Sequence, residues 1–347
     1  MRILHIMAGR GLGGAETYAA DIMLSLHEAG VDQTVVMADD APRMPEIVAA
    51  GLRVAPQVLR LPFRPWQKFM LRRVLAQEQP DLVHCWMRRA ASLMLRWNKG
   101  PVIGWFGGYY EPRHFKHCDH FVGVTKDIVA HMAREGVPAD HAHFVPTFPD
   151  VKGEAPLDRA ALATSPDALV LLALSRLHPK KGLDTLLRAA VDMPEAIVWL
   201  AGEGPLRHEL EQLAQSLGIA ARVRFLGWRT DRGALLRAAD ICVLPSRYEP
   251  FGTVILEAWA AGTPLVACRS AGPEGAVTDG VNGLLTPIDD VAALTAAFKR
   301  VKADADLRRR LIAQGYATYC SDYTRPAVTA RMMALYDTLI AAHGRGG

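Results

Sequence analysis

The sequence predicts an α/β protein built from two doubly wound parallel sheets. Three observations carry that reading. Short apolar runs rich in Val, Ile and Leu alternate with helical patterns along the whole chain, as strand–helix–strand crossovers do. The chain has 347 residues, enough for about two domains of roughly 150 residues each. A stretch at 146–168 holds Pro146, Pro149, Pro156 and Pro166 with no long period, and it divides the alternation into two halves.

In the first half, "RILHIM" reads as the opening strand and "GRGLGGAE" (9–16) as a glycine loop leading into a helix over 15–29. "QTVVMA", "DLVHCW", "PVIGWF" and "HFVGVT" follow as strands, with helices at 66–78 and 125–135. Thr125 is a suitable N-cap for the last helix and Gly136 a suitable stop. In the second half, "LVLLAL", "AIVWLA", "RVRFL", "ICVLP" and "PLVAC" read as strands buried on both faces. Leu183, Leu186, Leu187 and Ala190 share one face of a helix over 182–192, and Leu206, Leu210, Leu213 and Leu217 one face of a helix over 205–217. The proline-rich stretch is read as the inter-domain connection, giving domains over 1–150 and 151–325. Ligands of such sheets sit beyond the carboxyl ends of the strands, so two facing domains would hold a site in the cleft between them.

The totals exclude several classes. A 50% hydrophobic and 22% charged composition is that of a globular protein with a sizeable core. A net charge of +4 is too mild to imply nucleic acid. Cys85, Cys118, Cys242, Cys268 and Cys320 are far apart and form no C-x-x-C. They are read as small buried side chains in a reducing compartment, and no metal site is expected. "RILHIM" is too short for a signal-peptide core, and no apolar run approaches the ~18 residues of a membrane span. The expected location is therefore cytoplasmic.

Three motifs bear on chemistry. In "PSRYEPFGTVILEAWAAG" (245–262), Glu249 precedes Pro250, Phe251 and Gly252, and Glu257 follows eight residues later in an apolar helical pattern. A helix starting after Pro250 would aim the free N–H groups of Phe251 to Thr253 at an anion. Eight helical residues span about 12 Å, too far for an acid/base pair on one bond but suited to gripping two ends of a long ligand. "SRLHPKKG" (175–182) puts Arg176 and Lys181 at a strand end and helix start, where two cations suit a diphosphate. In "AGEGPLRHELEQLA" (201–214), Gly202 and Gly204 permit a tight turn, and Gly227 ends the strand "VRFLG" at the same sheet edge.

In this order the motifs "SRLHPKKG", "GEGPLRHEL", "VRFLG", "LPSRYEPFGTVILEAWAAGTPLV" and "DGVNGLLTP" resemble family 4 glycosyltransferases of the GT-B fold across nearly all of 170–287. The resemblance implies a retaining, metal-independent enzyme without cofactor. Such an enzyme moves a hexose-type sugar from a nucleotide-diphosphate sugar, UDP- or GDP-linked, to a bacterial surface glycan or glycolipid such as lipopolysaccharide. It implies that Arg176 and Lys181 hold the diphosphate, that Glu249 contacts the donor sugar, and that Glu257 binds the ribose. Amides near Phe251, Gly252 and Thr253 would support phosphate or sugar, and the turn at Gly227 and Trp228 would meet the base. Gly13, Gly14, Ala15 and Glu16 match the family's first loop, which faces the donor phosphates. A helix over 326–343 would return to the first domain.

The loop at 9–16 also spells G-x-G-x-x-G, with Asp39 and Asp40 near the position of a ribose-binding acid. An NAD-dependent oxidoreductase is thus one alternative. A non-catalytic nucleotide-sugar or glycan binder is another, because the family's histidine–glycine pair is replaced here by Phe106–Gly107. His84, Tyr109, Glu111 and His114 are the neighbouring candidates on the acceptor side. Finally, residues 60–99 carry nine Lys or Arg against Glu78 and Asp81, interleaved with Phe63, Trp66, Phe69, Trp86 and Trp97. This composition suits an anionic membrane face or a phosphorylated lipid-linked acceptor, with the protein peripheral on the inner face of the plasma membrane.

Overall fold

The structure is a computed structural model that describes residues 1–11, 13–149, 151 and 153–344. The chain forms two compact units, Met1–Thr147 with the segment from Arg325 onward, and Phe148–Thr324.

The first unit is a seven-stranded parallel sheet in the order β3-β2-β1-β4-β5-β6-β7. Its strands are β1 Arg2–Met7, β2 Asp32–Val36, β3 Arg53–Val54, β4 Leu82–Trp86, β5 Val102–Phe106, β6 His120–Gly123 and β7 Ala142–Phe144. The helices are α1 Gly14–Glu28, α2 Met44–Ala49, α3 Arg64–Glu78, α4 Met87–Ala91 and α5 Lys126–Arg134. Strand order reverses between β1 and β4, which pair with His5 opposite His84. The second unit has six parallel strands in the order β10-β9-β8-β11-β12-β13, with the reversal between β8 and β11. They are β8 Leu169–Leu174, β9 Ala196–Ala201, β10 Val223–Gly227, β11 Ile241–Leu244, β12 Leu265–Cys268 and β13 Leu284–Thr286. Its helices are α6 Leu183–Ala189, α7 Arg207–Ser216, α8 Arg232–Ala238, α9 Thr253–Ala261, α10 Ala271–Ala276, α11 Val291–Ala303 and α12 Ala305–Asp322. α13, Arg325–His343, belongs to the first unit.

Local rules account for most element ends. Thr125 Oγ1 accepts the Ile128 N–H at 3.0 Å and caps α5. Pro65 lies in the first turn of α3, where its missing N–H costs nothing, so the helix starts at Arg64 rather than 66. The helix expected over 182–192 is α6 plus a 3₁₀ turn, Ala190–Asp192. Each sheet is covered on both faces. In the second unit Leu171, Leu183 and Leu186 fill one layer, while Val170, Leu172 and Leu256 fill the other.

The stretch 146–168, read as the inter-domain connection, contains the boundary between the two units, at Thr147/Phe148. Its later part is bonded into the second unit, with Leu157 N–H donating to Ala234 O and Trp199 Nε1 to Thr164 Oγ1. Its regular element among the described residues is a short 3₁₀ turn, Arg159–Leu162, whose N-cap Asp158 accepts the Ala160 N–H. Of the cysteines, Cys85, Cys242 and Cys268 are buried, but Cys118 is half-buried and Cys320 exposed. Trp86 is fully buried in the first core rather than part of a basic–aromatic surface. Among the described residues, no helix is long and apolar enough to cross a membrane.

Candidate active site

The second unit carries a pocket of about 250 Å³ at the carboxyl ends of its strands. Leu174, Ser175 and Arg176 come from the end of β8, and Ala201 and Gly202 from the end of β9. Trp228, Arg229 and Arg232 follow β10, while Glu249, Gly252, Thr253 and Val254 follow β11. This is the switch point of the sheet, where the chain leaves β8 and β11 in opposite directions and a crevice must open.

Close approach of the first two loops is possible only because residue 202 is glycine. Its φ is 151°, and a Cβ there would run into Ser175 O. Gly204 (φ 159°) serves the same packing, against the Leu177 backbone, and does not line the pocket; neither does Gly227. Trp228 lies on the rim with 74% of its surface exposed.

The basic turn is fixed against the loop after β11. Arg247 N–H and Tyr248 N–H donate to Lys180 O at 2.9 and 3.2 Å, and Lys180 lies over the Tyr248 ring. That juxtaposition brings Lys181 Nζ to Glu249 Oε2 as a hydrogen-bonded ion pair, with 18% and 13% of the side chains exposed. The residue expected at the diphosphate and the one expected at the donor sugar therefore meet directly. Arg176, by contrast, is exposed and has no ion-pair partner among the described residues. Gly252, at φ 80°, is the N-cap of α9. Thr253 and Val254, in the first turn of that helix, border the pocket, where backbone N–H groups lack intrahelical partners. Phe251 packs on the core and does not line it.

Glu257 is 2% exposed and lies beneath the pocket, not on its surface. Arg232 Nη1 reaches Glu257 Oε1 at 2.6 Å and itself lines the pocket. A carboxylate this deep in the protein is tolerable only with such partners. The sequence reading missed Arg232, Arg229 and Ser175. The segment "WRTDRG" after the β10 strand carried the signal: two arginines between a strand end and a helix start, at the same edge as Gly202.

In the first unit Gly13 is the N-cap of α1, which begins at Gly14. The glycines of this loop make room for a side chain: a Cβ on Gly9 or Gly13 would come 2.5 or 2.6 Å from the Glu16 carboxylate oxygens. Asp40 and Asp39 pair with Arg10 and Arg60. The acceptor-side candidates divide. His84 is fully buried, stacked on Trp86, with Tyr336 OH 2.6 Å from Nδ1; it cannot meet an acceptor. Burial drives its pKa well below the ordinary histidine value, helped by the neighbouring His5. Tyr109 OH donates to Asp127 Oδ2 at 2.5 Å and its ring meets His131 edge-on, so it is tied to α5. Glu111 and His114 lie on the loop after β5, with Glu111 exposed and paired to Arg113. Phe106 is wholly buried and stacks on Phe115 at 4.4 Å.

Residues 155–318 match the family described as glycosyl transferases group 1, and residues 12–152 match glycosyltransferase family 4. The chain is 34% identical over 343 residues to the lipopolysaccharide core biosynthesis glycosyltransferase LpsE of Rhizobium meliloti (strain 1021), covering 96% of this chain and 98% of the other. It is 32% identical over 345 residues to LpsD of the same organism, covering 98% and 99%. Among solved structures, Anabaena Alr3699/HepE in complex with UDP superposes with a TM-score of 0.83 at 20% identity over 98% and 100% of the chains. WaaG, a glycosyltransferase involved in lipopolysaccharide biosynthesis, gives 0.68 at 16% identity over 97% and 99%. The chain therefore has the GT-B fold and belongs to the group 1 glycosyltransferases, with a family 4 domain at its N-terminal side.

Proposed function

We propose that this glycosyltransferase is retaining and metal-independent, and that it transfers a hexose-type sugar from a UDP- or GDP-sugar to a bacterial surface glycan or glycolipid of the lipopolysaccharide type. The observation that carries the donor assignment is the pocket at the β8/β11 switch point, where Arg176, the Lys181–Glu249 pair and the first turn of α9 converge. Arg176, which pairs with no carboxylate among the described residues, receives the diphosphate together with the α9 amides. Both offset the charge that develops on the leaving phosphate as the glycosidic bond breaks. Lys181 orients Glu249 toward the sugar hydroxyls. Glu257 holds Arg232 beside the ribose, and Trp228 with the turn after Gly227 borders the base. The leaving phosphate takes the acceptor proton on the same face, so the anomeric configuration is kept. Support for the acceptor class comes from the likeness to LpsE and LpsD, lipopolysaccharide core biosynthesis glycosyltransferases, and to WaaG, and support for a uridine nucleotide from the UDP bound to HepE.

The first unit, with Glu111 and His114 after β5, is the acceptor side of this scheme. Leu61, Phe63, Trp66 and Phe69 are exposed along the start of α3, among Arg60, Arg64 and Lys68. Exposed apolar rings flanked by cations favour peripheral contact with an anionic membrane.

The test is calorimetric titration with UDP, GDP, ADP and NAD, with EDTA present. Binding of one nucleoside diphosphate and not of NAD is expected. Binding only after a divalent cation is restored would overturn metal independence, and failure of every nucleoside diphosphate to bind would overturn the donor assignment.

A further inference from the structure

The first sheet has its own switch point, between β1 and β4. A second pocket, of about 280 Å³, opens there. Ala8 follows β1 directly, and Arg89 sits in α4 directly after β4. Arg10, Arg60 and the buried Gln67 complete the parts of the lining that carry polar groups.

Three guanidinium groups line this pocket and no carboxylate does. Asp39 and Asp40 stand outside it and are half exposed or more, and the less exposed Glu16 carboxylate lies against Gly9, between Ala8 and Arg10 in the chain. Arg10 Nη1 donates to Asp40 Oδ2 at 2.8 Å and Nη2 to Leu59 O at 3.2 Å, which fixes the guanidinium but leaves other N–H groups unused. Arg60 Nε is 3.6 Å from Asp39 Oδ2, beyond hydrogen-bond range. Arg89 has no acidic partner among the described residues. Like charges gathered in one concavity repel unless an anion joins them. Planar arginine forks match the oxygens of a phosphate or carboxylate in pairs.

We infer that this pocket binds an anionic substituent, a phosphate or a carboxylate, on the acceptor sugar, with Arg10, Arg60 and Arg89 as its ligands. The inference rests on the transferase reading above and narrows it: the acceptor is a charged saccharide. The donor is excluded as the occupant because the second unit has its own cationic pocket for the diphosphate. A lipid headgroup would offer the same phosphate chemistry, and the exposed Phe63 and Trp66 lie close by in the chain, so the test separates the two.

Full-length protein saturated with UDP is titrated with glucose 6-phosphate, glucuronate and glucose; a parallel titration uses Lys181→Ala. The expected result is binding of one or both anionic sugars but not of glucose, unchanged in Lys181→Ala. Arg89→Gln and Arg60→Gln should each weaken that binding about tenfold or more, as removal of a charge-assisted hydrogen bond does, and Arg89→Lys should recover part of it. Vesicles of phosphatidylglycerol and phosphatidylcholine form the second arm: Phe63→Ser with Trp66→Ser should reduce vesicle binding and leave sugar binding intact. Anionic sugars binding no better than glucose would overturn the inference. So would arginine variants that lose vesicle binding while keeping sugar binding. UDP titration of the same preparation tests the transferase reading separately, since its failure leaves the sugar arm in Lys181→Ala readable.

Discussion

Glu257 is held in the protein interior by charge rather than by water. Glu257→Gln keeps the shape and one acceptor oxygen but removes the ion pair with Arg232, which is 42% exposed on its side chain and can be hydrated instead. Folding stability should fall by only about 1 kcal/mol, while UDP affinity falls by about 1.5–3 kcal/mol, the range of a hydrogen bond to a charged group. Calorimetry and a urea titration on one preparation check both; unchanged UDP affinity would remove Glu257 from the donor site. Phe106 makes the opposite case. Its ring is one of a buried stack with Phe115 and Phe121, so Phe106→His should cost about 1–3 kcal/mol for burying a polar ring and should not raise turnover. A gain in turnover would mean that residue 106 reaches the substrate.

At the scale of elements, the donor pocket depends on how closely two loops approach. In Gly202→Ala the new Cβ meets Ser175 O, one residue before Arg176. The expected outcome is a loss of about 1–3 kcal/mol in stability together with weaker UDP binding, because the segment that carries Arg176 must move. Normal UDP affinity would show that the turn does not set Arg176. α13 tests the other unit. It packs on α1 through a Ser25–Thr329 hydroxyl pair at 2.6 Å and reaches β4 through Tyr336 OH and His84 Nδ1. Tyr336→Phe leaves that nitrogen without its partner and should cost about 1–3 kcal/mol, while leaving UDP affinity unchanged, since both residues belong to the first unit.

For the whole molecule, the buried histidines set the acid limit of stability. Burial lowers the pKa of His5 to about 3, and that of His84 falls well below the ordinary value. Both stay neutral in the folded protein. Unfolded, they take protons as pH falls through about 6.5, so the unfolded state binds more protons and stability is lost on acidification. Between pH 7.5 and 5.5 the loss is about 1.4 kcal/mol for His5, and His84 adds to it. His120, lowered to about 4 mainly by burial, and His143 act in the same direction. Urea midpoints at the two pH values read this; a midpoint that rises at pH 5.5 would contradict it.

The sequence by itself determined what depends on near neighbours in the chain. The strand runs, the Thr125 cap, the glycine turns and the ordered motifs from "SRLHPKKG" to "DGVNGLLTP" are local patterns, and periodicity and backbone sterics make them legible. Arg176 and the start of α9 lie at the ends of such local patterns, and Arg176, Gly252, Thr253 and Val254 border the pocket. Tertiary structure decided what depends on strand order and register. It put His84 under Tyr336, 252 residues away, and so removed a candidate that looked accessible at a strand end. It joined Lys181 to Glu249 and Arg232 to Glu257, and it gathered Arg10, Arg60 and Arg89 at one switch point. No local pattern encodes these meetings, because each is made by a sheet that orders its strands differently from the chain.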